Sequence, residues 1–268
     1  MLKGATRRTV GIRDIPLVWL GPRRLFARVE DVTAWGWPLV VLLTVVTLIG
    51  YATVQTGLID RRIDDEVRQR IARIDSEQRD VVERSALRDL YDQEIKMGEF
   101  RKLLTRIQVV VAEPAQALVA ALLIAAVLYG VVALTGHKPE WHTLLTICVY
   151  ASFIDALRLL LELGLMLHFR SLEVSTSPAL LARLFIQGGA NQASQMNIAA
   201  LSGLLSGLDP FRLWFWSVVI VGLSVTRQLR GWRVWLTCGL CWLAGIAGRC
   251  ALEVGSAYSA TSSAAGGG

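Results

Sequence analysis

The chain of 268 residues is 53% hydrophobic and carries a formal net charge of +6. A soluble domain of this length needs fewer apolar residues to fill its core, so the excess must face lipid. The composition therefore excludes a soluble protein and predicts an integral membrane protein. The positive charge indicates orientation in the membrane, because no segment interleaves basic residues with stacking aromatics as nucleic-acid-binding segments do.

The N-terminal segment, residues 1–34, is predicted to be a basic cytoplasmic tail. No long apolar run follows its first positive charges, so it is not a signal peptide. Within it, Ile15 to Val29 mixes apolar residues with arginines, and two interpretations stay open: an interfacial helix on the membrane surface, or a solvated tail with a short helix. The first span follows at residues 35–58, which is long enough to cross an apolar core of ~30 Å.

Residues 59–107 change character and predict a charged helical hairpin outside the membrane. From 60 to 107 there are twelve basic and twelve acidic residues, one glycine and no proline. Apolar residues recur at helical spacing in two sets, so we expect two antiparallel arms that turn near Arg84 and pack through their apolar stripes. A plain solvated linker is the alternative. The stripe of the first arm comprises Ile63, Val67, Ile71, Ile74 and Val81, and that of the second comprises Leu87, Leu90, Met97, Phe100, Leu104 and Ile107. Ion pairs along each arm are expected at Asp64/Arg68, Glu66/Arg70 and Glu99/Lys102.

The remainder of the chain, residues 108–254, predicts a bundle of four spans. Spans two and three are expected to form an antiparallel hairpin around a tight turn, and the polar segment 170–206 is expected to lie at the interface. The Ser/Ala/Gly-rich tail, 255–268, is expected to be disordered. The four spans are 108–135, 141–169, 210–226 and 232–252.

The fourth span begins with a helix-capping pair. Asp209 can accept hydrogen bonds from the first free backbone N–H groups, and Pro210 at the first helical position loses no hydrogen bond. Arg227, Arg230 and Arg233 follow this span. With the N-terminus in the cytoplasm, these arginines and the basic tail lie inside, and the hairpin and the C-terminus lie outside, as the positive-inside rule requires.

The third span carries a charged stripe near one end. Asp155, Arg158 and Glu162 stand three and four residues apart, on one face of a helix. Ionisable groups in a span are costly and should face protein or a wet cavity. Glu113 in the antiparallel neighbour should lie at a similar depth. We favour an ion cluster that fixes helix packing, and a proton, ion or polar-substrate site is the alternative. Replacing Arg158 should destabilise the protein more than replacing Asp155.

Motifs of enzymes, cofactor sites and metal sites are missing from the sequence. There is no H-E-x-x-H, G-x-S-x-G, P-loop or Gly-rich phosphate motif. The lone C-x-x-C at Cys238 and Cys241 lies in an apolar span, where free cysteines usually pack as small apolar residues. We therefore expect no catalytic residue, no bound cofactor and no metal.

Three segments resemble a known family. Leu208-Asp209-Pro210-Phe211 with Leu213-Trp214, Thr143-Leu144-Leu145 before Tyr150-Ala151-Ser152, and Gly21-Pro22-Arg23-Arg24-Leu25-Phe26 are similar to segments of the Yip-type (Ypt/Rab-interacting protein) domain family, in its bacterial branch. One departure is that Phe153 stands where the family often has a proline. The resemblance, over residues 19–58 and 108–252, implies five membrane spans and a role in membrane traffic or as an accessory to export systems. It supplies no catalytic residue, and the hairpin falls outside it.

The predicted fold class is therefore all-α: a polytopic membrane helix bundle of about five transmembrane helices with an extramembrane helical hairpin. The predicted function is that of a non-enzymatic scaffold or accessory subunit of a transport or trafficking system in the inner (plasma) membrane. The lipid bilayer surrounds it, a partner protein binds through residues 60–107, and the sequence leaves room for an oligomer. A small transporter or ion-coupled permease that uses Asp155, Arg158, Glu162 and Glu113 is the alternative.

Overall fold

The computed structural model describes residues 14–29, 35–78, 84–136, 138–169 and 209–265. These residues are helical with short connections and include no strand, which confirms the predicted all-α class. The helices are α1 (Leu17–Leu20), α2 (Pro22–Val29), α3 (Gly36–Gln55), α4 (Leu58–Gln78), α5 (Arg84–Ile107), a π-helix (Gln108–Ala112), α6 (Glu113–Leu134), α7 (Trp141–Phe169), α8 (Pro210–Val225) and α9 (Trp232–Ala265).

Among the described residues, three helices are long and apolar enough to cross a membrane: α3, α7 and the continuous helix Leu87–Leu134, which joins α5 to α6 through the π-helix. The apolar helix α8 is shorter, with 16 residues. The predicted fifth span lies within α9. These helices confirm a polytopic helical membrane protein. The predicted interfacial segment, 170–206, lies outside the described residues.

One compact unit consists of the described parts of Met1–Leu42, Ala120–Arg158 and Ser175–Gly268. Its core is the first half of α7, where every residue from Thr143 to Ile154 is buried, as expected for a helix with protein on all sides. Helix α8 approaches α7 closely at Gly222, since a Cβ there would lie 2.7 Å from Cγ2 of Ile147. Glycine therefore sets the packing distance between these two helices.

The segment before the first span belongs to this core. Val18, Leu25 and Phe26 are fully buried, and the Phe26 ring meets Tyr150 of α7 edge-on, with ring centroids 6.5 Å apart. An ion pair at 2.7 Å joins Asp14, just before α1, to Arg28 in the last turn of α2. Lipid or water was predicted against this segment, but its apolar side packs on protein. Amphipathicity alone does not distinguish these three surroundings.

The C-terminal segment also differs from its prediction. A disordered tail is expected from residue 255, whereas α9 continues to Ala265. No proline interrupts this stretch, and its alanines are the strongest helix formers, which offsets the cost of serine and glycine. Residues 266–268 lie outside the described part of the chain.

The second compact unit consists of the described parts of Leu43–Val119 and Leu159–Val174. The chain leaves α3 through Gly57, whose positive φ of 66° makes the turn into α4. Helices α4 and α5 then pack against each other along their length. Ile59 and Ile63 are buried near the base of α4.

Candidate functional site

The first polar feature is an ion pair between α7 and the start of α8. Asp209 is the N-cap of α8, and its Oδ1 accepts a hydrogen bond from the backbone N–H of Phe211 at 2.9 Å, with Pro210 at the first helical position. Its other oxygen, Oδ2, lies 3.2 Å from Nη1 of Arg158. The side chain of Asp209 is only 2% exposed, so one buried carboxylate both caps a helix and neutralises an arginine of the neighbouring span.

The other members of the predicted ion cluster are placed as follows. Asp155, Glu162 and Glu113 are half-buried, as is Arg158. Asp155 and Arg158 belong to the first unit, whereas Glu113 and Glu162 line a cavity in the second. The cluster as a whole stays a prediction. Asp209 was not predicted from the sequence as the partner of Arg158. An arginine in a span requires a counter-charge, however, and a buried capping aspartate supplies one.

The second feature is a ladder of contacts between the arms of the hairpin. Each advance of about one turn along α4 is matched by one turn back along α5, so the arms are antiparallel in a constant register. The ladder pairs Asp60 with Arg106, Asp64 with Lys102, Arg70 with Glu94 and Asp75 with Tyr91, and it places Val67 against Gly98.

This ladder corrects the predicted ion pairs. Asp64 and Arg70 have partners on the opposite arm, while Glu66 pairs with Arg62. In an antiparallel helix pair, a side chain on the opposite helix can be as close as a side chain one turn away on the same helix. The predicted pairs considered only neighbours on the same helix, so the partners on the opposite arm were missed.

The third feature is a half-exposed apolar stripe that runs along α5 into the π-helix, which we call the outer stripe. It consists of Met97, Phe100, Leu104, Ile107 and Val111, at spacings of three and four. These side chains are between 45% and 60% exposed. From Met97 onward the stripe of the second arm is therefore only partly covered, and Leu104 lines a cavity together with Ile63 of the first arm.

The face of α5 that packs against α4 is centred on Gly98 instead. A Cβ at this position would lie 2.7 Å from Cγ2 of Val67, so only glycine allows the arms to approach this closely. Gly98 is the one glycine between residues 60 and 107. A lone glycine in an otherwise helical segment is a signal of close backbone approach, and it identifies the contact face better than the apolar pattern does.

The π-helix marks another close approach. A Cβ on Gly50 of α3 would lie 2.5 Å from the backbone oxygen of Val109. In a π-helix the hydrogen bonds run to the fifth residue, which widens the helix locally, and such turns are frequent at functional sites. At this level the second unit holds a cavity of about 590 Å³, lined in part by Gly50 and Val109.

The cavity combines charged and apolar walls. Its charged residues are Arg62, Glu66, Arg101, Glu113 and Glu162. Its apolar wall includes Ile49 of α3 and Leu159, Leu163 and Met166 of α7. Glu113 and Glu162 were predicted from the sequence, but the two arginines were not, because they belong to the hairpin and both are far from Glu162 along the chain.

The model of the Yip1 domain matches residues 17–251, which is most of the chain. The chain belongs to the Yip1 domain family. The matched range of this Yip1 domain includes the hairpin, which the resemblance in the sequence did not cover. No curated protein and no solved structure matches the chain significantly. The bacterial branch stays a prediction.

The described residues bring together no group of three or more His, Cys, Asp and Glu side chains that could hold a metal ion. Their polar side chains form ion pairs, helix caps and one mixed-charge cavity. The surfaces of the Yip1 domain that suit recognition are therefore the outer stripe of α5 and this cavity.

Proposed function

We propose that this Yip1 domain protein is a non-enzymatic scaffold or accessory subunit of an export or trafficking system in the inner membrane. In this proposal the α4–α5 hairpin binds an apolar helix of a partner protein. The single observation that supports it is the outer stripe: a row of large apolar side chains at the spacing of a coiled-coil seam, each about half exposed, of which Phe100 and Ile107 do not line the cavity next to α4.

Lipid is a poor explanation for most of this stripe. Helix α6 has 22 residues, so at 1.5 Å per residue it covers about 33 Å, enough to cross an apolar core without help from α5. The stripe begins before α6 and is interspersed with charges, including Arg101, Lys102 and Arg106. Charged side chains at this density are too costly for the hydrocarbon region.

A partner helix suits the stripe because apolar residues three and four apart on one helix form holes into which side chains of a facing helix insert. The partner should present its own apolar residues at the same spacing. Contiguous exposed apolar surface of this kind marks interaction sites in soluble parts of proteins.

The proposed orientation places the N-terminus in the cytoplasm and the hairpin and C-terminus outside. It rests on the basic residues before α3, on Arg227 and Arg230 between α8 and α9, and on Arg233 in the first turn of α9. Lys and Arg accumulate on the cytoplasmic side of membrane proteins. The partner would then meet the hairpin on the outer side of the membrane.

Site-specific photo-crosslinking in cells tests the docking role. A photoreactive amino acid at Phe100 or Ile107 should give one discrete protein adduct, shared by both positions. The same amino acid at Arg88 or Glu99, which are exposed on α5 outside the stripe, should not give it. The Phe100→Ser/Ile107→Ser variant should lose the partner on co-purification, and Arg88→Ser/Glu99→Ser should keep it.

Three results would contradict the proposal. Equal adducts from Arg88 and Glu99 would show that the stripe has no special role. Adducts with lipid alone would mean that the stripe faces the bilayer. An adduct between two copies of this chain would replace partner docking with self-association.

A further inference from the structure

The mixed-charge cavity of the second unit has the composition of a lipid site. We propose that it binds the headgroup of a zwitterionic phospholipid whose cation is a primary ammonium, of the phosphatidylethanolamine class. This inference goes beyond the proposed scaffold role, and Phe100 and Ile107, which test that role, do not line the cavity.

The arginines supply the site for a phosphate. Arg101 is half-buried and lines the cavity, and among the described residues it forms no ion pair. Arg62 lines the same cavity and is held by Glu66, 3.3 Å away. A guanidinium presents a planar set of donors that matches phosphate oxygens, and such charge-assisted hydrogen bonds are stronger than neutral ones.

The glutamates supply the site for a cation. Glu113 at the start of α6 and Glu162 of α7 line the cavity together. A primary ammonium has three N–H donors for carboxylate oxygens. A choline headgroup has none, and proteins recognise quaternary ammonium through aromatic cages. No aromatic side chain is among the described residues that line this cavity, so the site fits ethanolamine and not choline.

The apolar wall indicates that the ligand is a lipid and not a soluble zwitterion. Leu159, Leu163 and Met166 stand on one face of α7 at spacings of four and three, next to Glu162. A ligand with a charged end and an apolar end satisfies both walls, and the cavity volume of about 590 Å³ is in the range of small-molecule sites. The headgroup would occupy the charged wall, and an acyl chain would lie along α7.

Native mass spectrometry of the full-length protein with added lipids tests this site. We expect phosphatidylethanolamine to be retained about tenfold more than phosphatidylcholine of the same chains, from the charge-assisted hydrogen bonds that only the first can donate. The Glu113→Gln/Glu162→Gln variant should lose this preference. Arg101→Gln should lower retention of both lipids. Glu99→Gln, which removes one carboxylate from an exposed position of α5 outside the cavity, should leave the preference intact.

Equal retention of the two lipids by the unmodified protein would overturn the proposal. A preference for phosphatidylethanolamine that persists in Glu113→Gln/Glu162→Gln would also overturn it. Soluble glycerophosphoethanolamine separates the two sources of the headgroup. If it raises the melting temperature as much as the lipid does, the ligand is a soluble zwitterion and the lipid assignment is wrong.

Discussion

At the scale of single residues, Asp209 is a buried carboxylate with two partners. Its carboxylate is buried, caps α8 through the N–H of Phe211 and pairs with Arg158. Burying a carboxylate is costly unless its oxygens are satisfied. The short Asp-Pro motif is therefore more than a helix start: it anchors α8 to α7.

This arrangement predicts the effect of removing either charge. Arg158→Ala leaves Asp209 buried without its counter-charge, and we expect it to lower the free energy of unfolding by about 3 kcal/mol, the lower end for a buried pair because Arg158 is part exposed. Asp155→Asn, on the same face of α7, should cost less. Thermal unfolding in detergent measures both.

A double variant separates the ion pair from the cap. Asn can still cap a helix, so Arg158→Ala/Asp209→Asn should be more stable than Arg158→Ala alone. Independent effects, in which the two changes simply add, would show that Arg158 and Asp209 are not coupled.

At the scale of elements, the hairpin shows what local pattern predicts and what it does not. Helix α7 occupies the same residues as the predicted third span, because a long apolar run between a tight turn and polar sequence has only one placement. The contact face of α5 is centred on Gly98 and not on the predicted apolar stripe. An apolar stripe such as Met97 to Ile107 predicts that its face will be covered, but it does not identify the surface that covers it, whereas Gly98 requires a close neighbour.

The ladder contributes little to stability. Its ion pairs, such as Asp60 with Arg106, are partly exposed, and such pairs contribute only about 0–1 kcal/mol each. The charges alone do not fix the register either, because a slip of one turn would still set Asp60 against Lys102 or Asp64 against Arg106. The close approach of Val67 at Gly98 is the contact that a slip would lose, so it determines both the spacing and the register.

A disulfide tests this register. An ideal Cβ at position 98 lies 3.8 Å from Cβ of Val67, which is close to the mean separation in disulfides. In a background without the native cysteines, Val67→Cys/Gly98→Cys should therefore cross-link within one chain under mild oxidation. Protease cleavage between the arms, followed by electrophoresis with and without reductant, measures it.

The matched control moves one cysteine to the outer stripe. Val67→Cys/Met97→Cys should not cross-link, since Met97 is exposed on a different face of α5. Efficient cross-linking in both variants would mean that the arms slide past each other and that the ladder is not fixed.

At the scale of the whole molecule, membership of the Yip1 domain family agrees with the apolar helices. Polytopic character could be predicted from composition alone, because 53% hydrophobic residues exceed what one soluble core requires. The mixed-charge cavity could not, since Arg101 and Glu162 are far apart in sequence and meet only through the fold of α5 and α7.

The proposed orientation makes a labelling prediction. With the native cysteines replaced, Glu99→Cys on the hairpin should react with an impermeant maleimide on intact spheroplasts. Arg230→Cys, exposed between α8 and α9, should react only after the membrane is opened. Positive-inside asymmetry is the physical reason, and the reverse pattern of labelling would invert the topology and place the hairpin in the cytoplasm.

The constant register of α4 and α5 links the length of the hairpin to the number of residues in each arm. Because the two arms match turn for turn, adding seven residues to each arm, on either side of the tip, would extend its reach by about 10 Å and leave every lower rung in place. Adding seven residues to one arm alone would shift all rungs beyond the insertion. We therefore predict that the length of the hairpin changes between related proteins by paired insertions, which would move the docking surface proposed above relative to the membrane without altering the contacts between the arms below it.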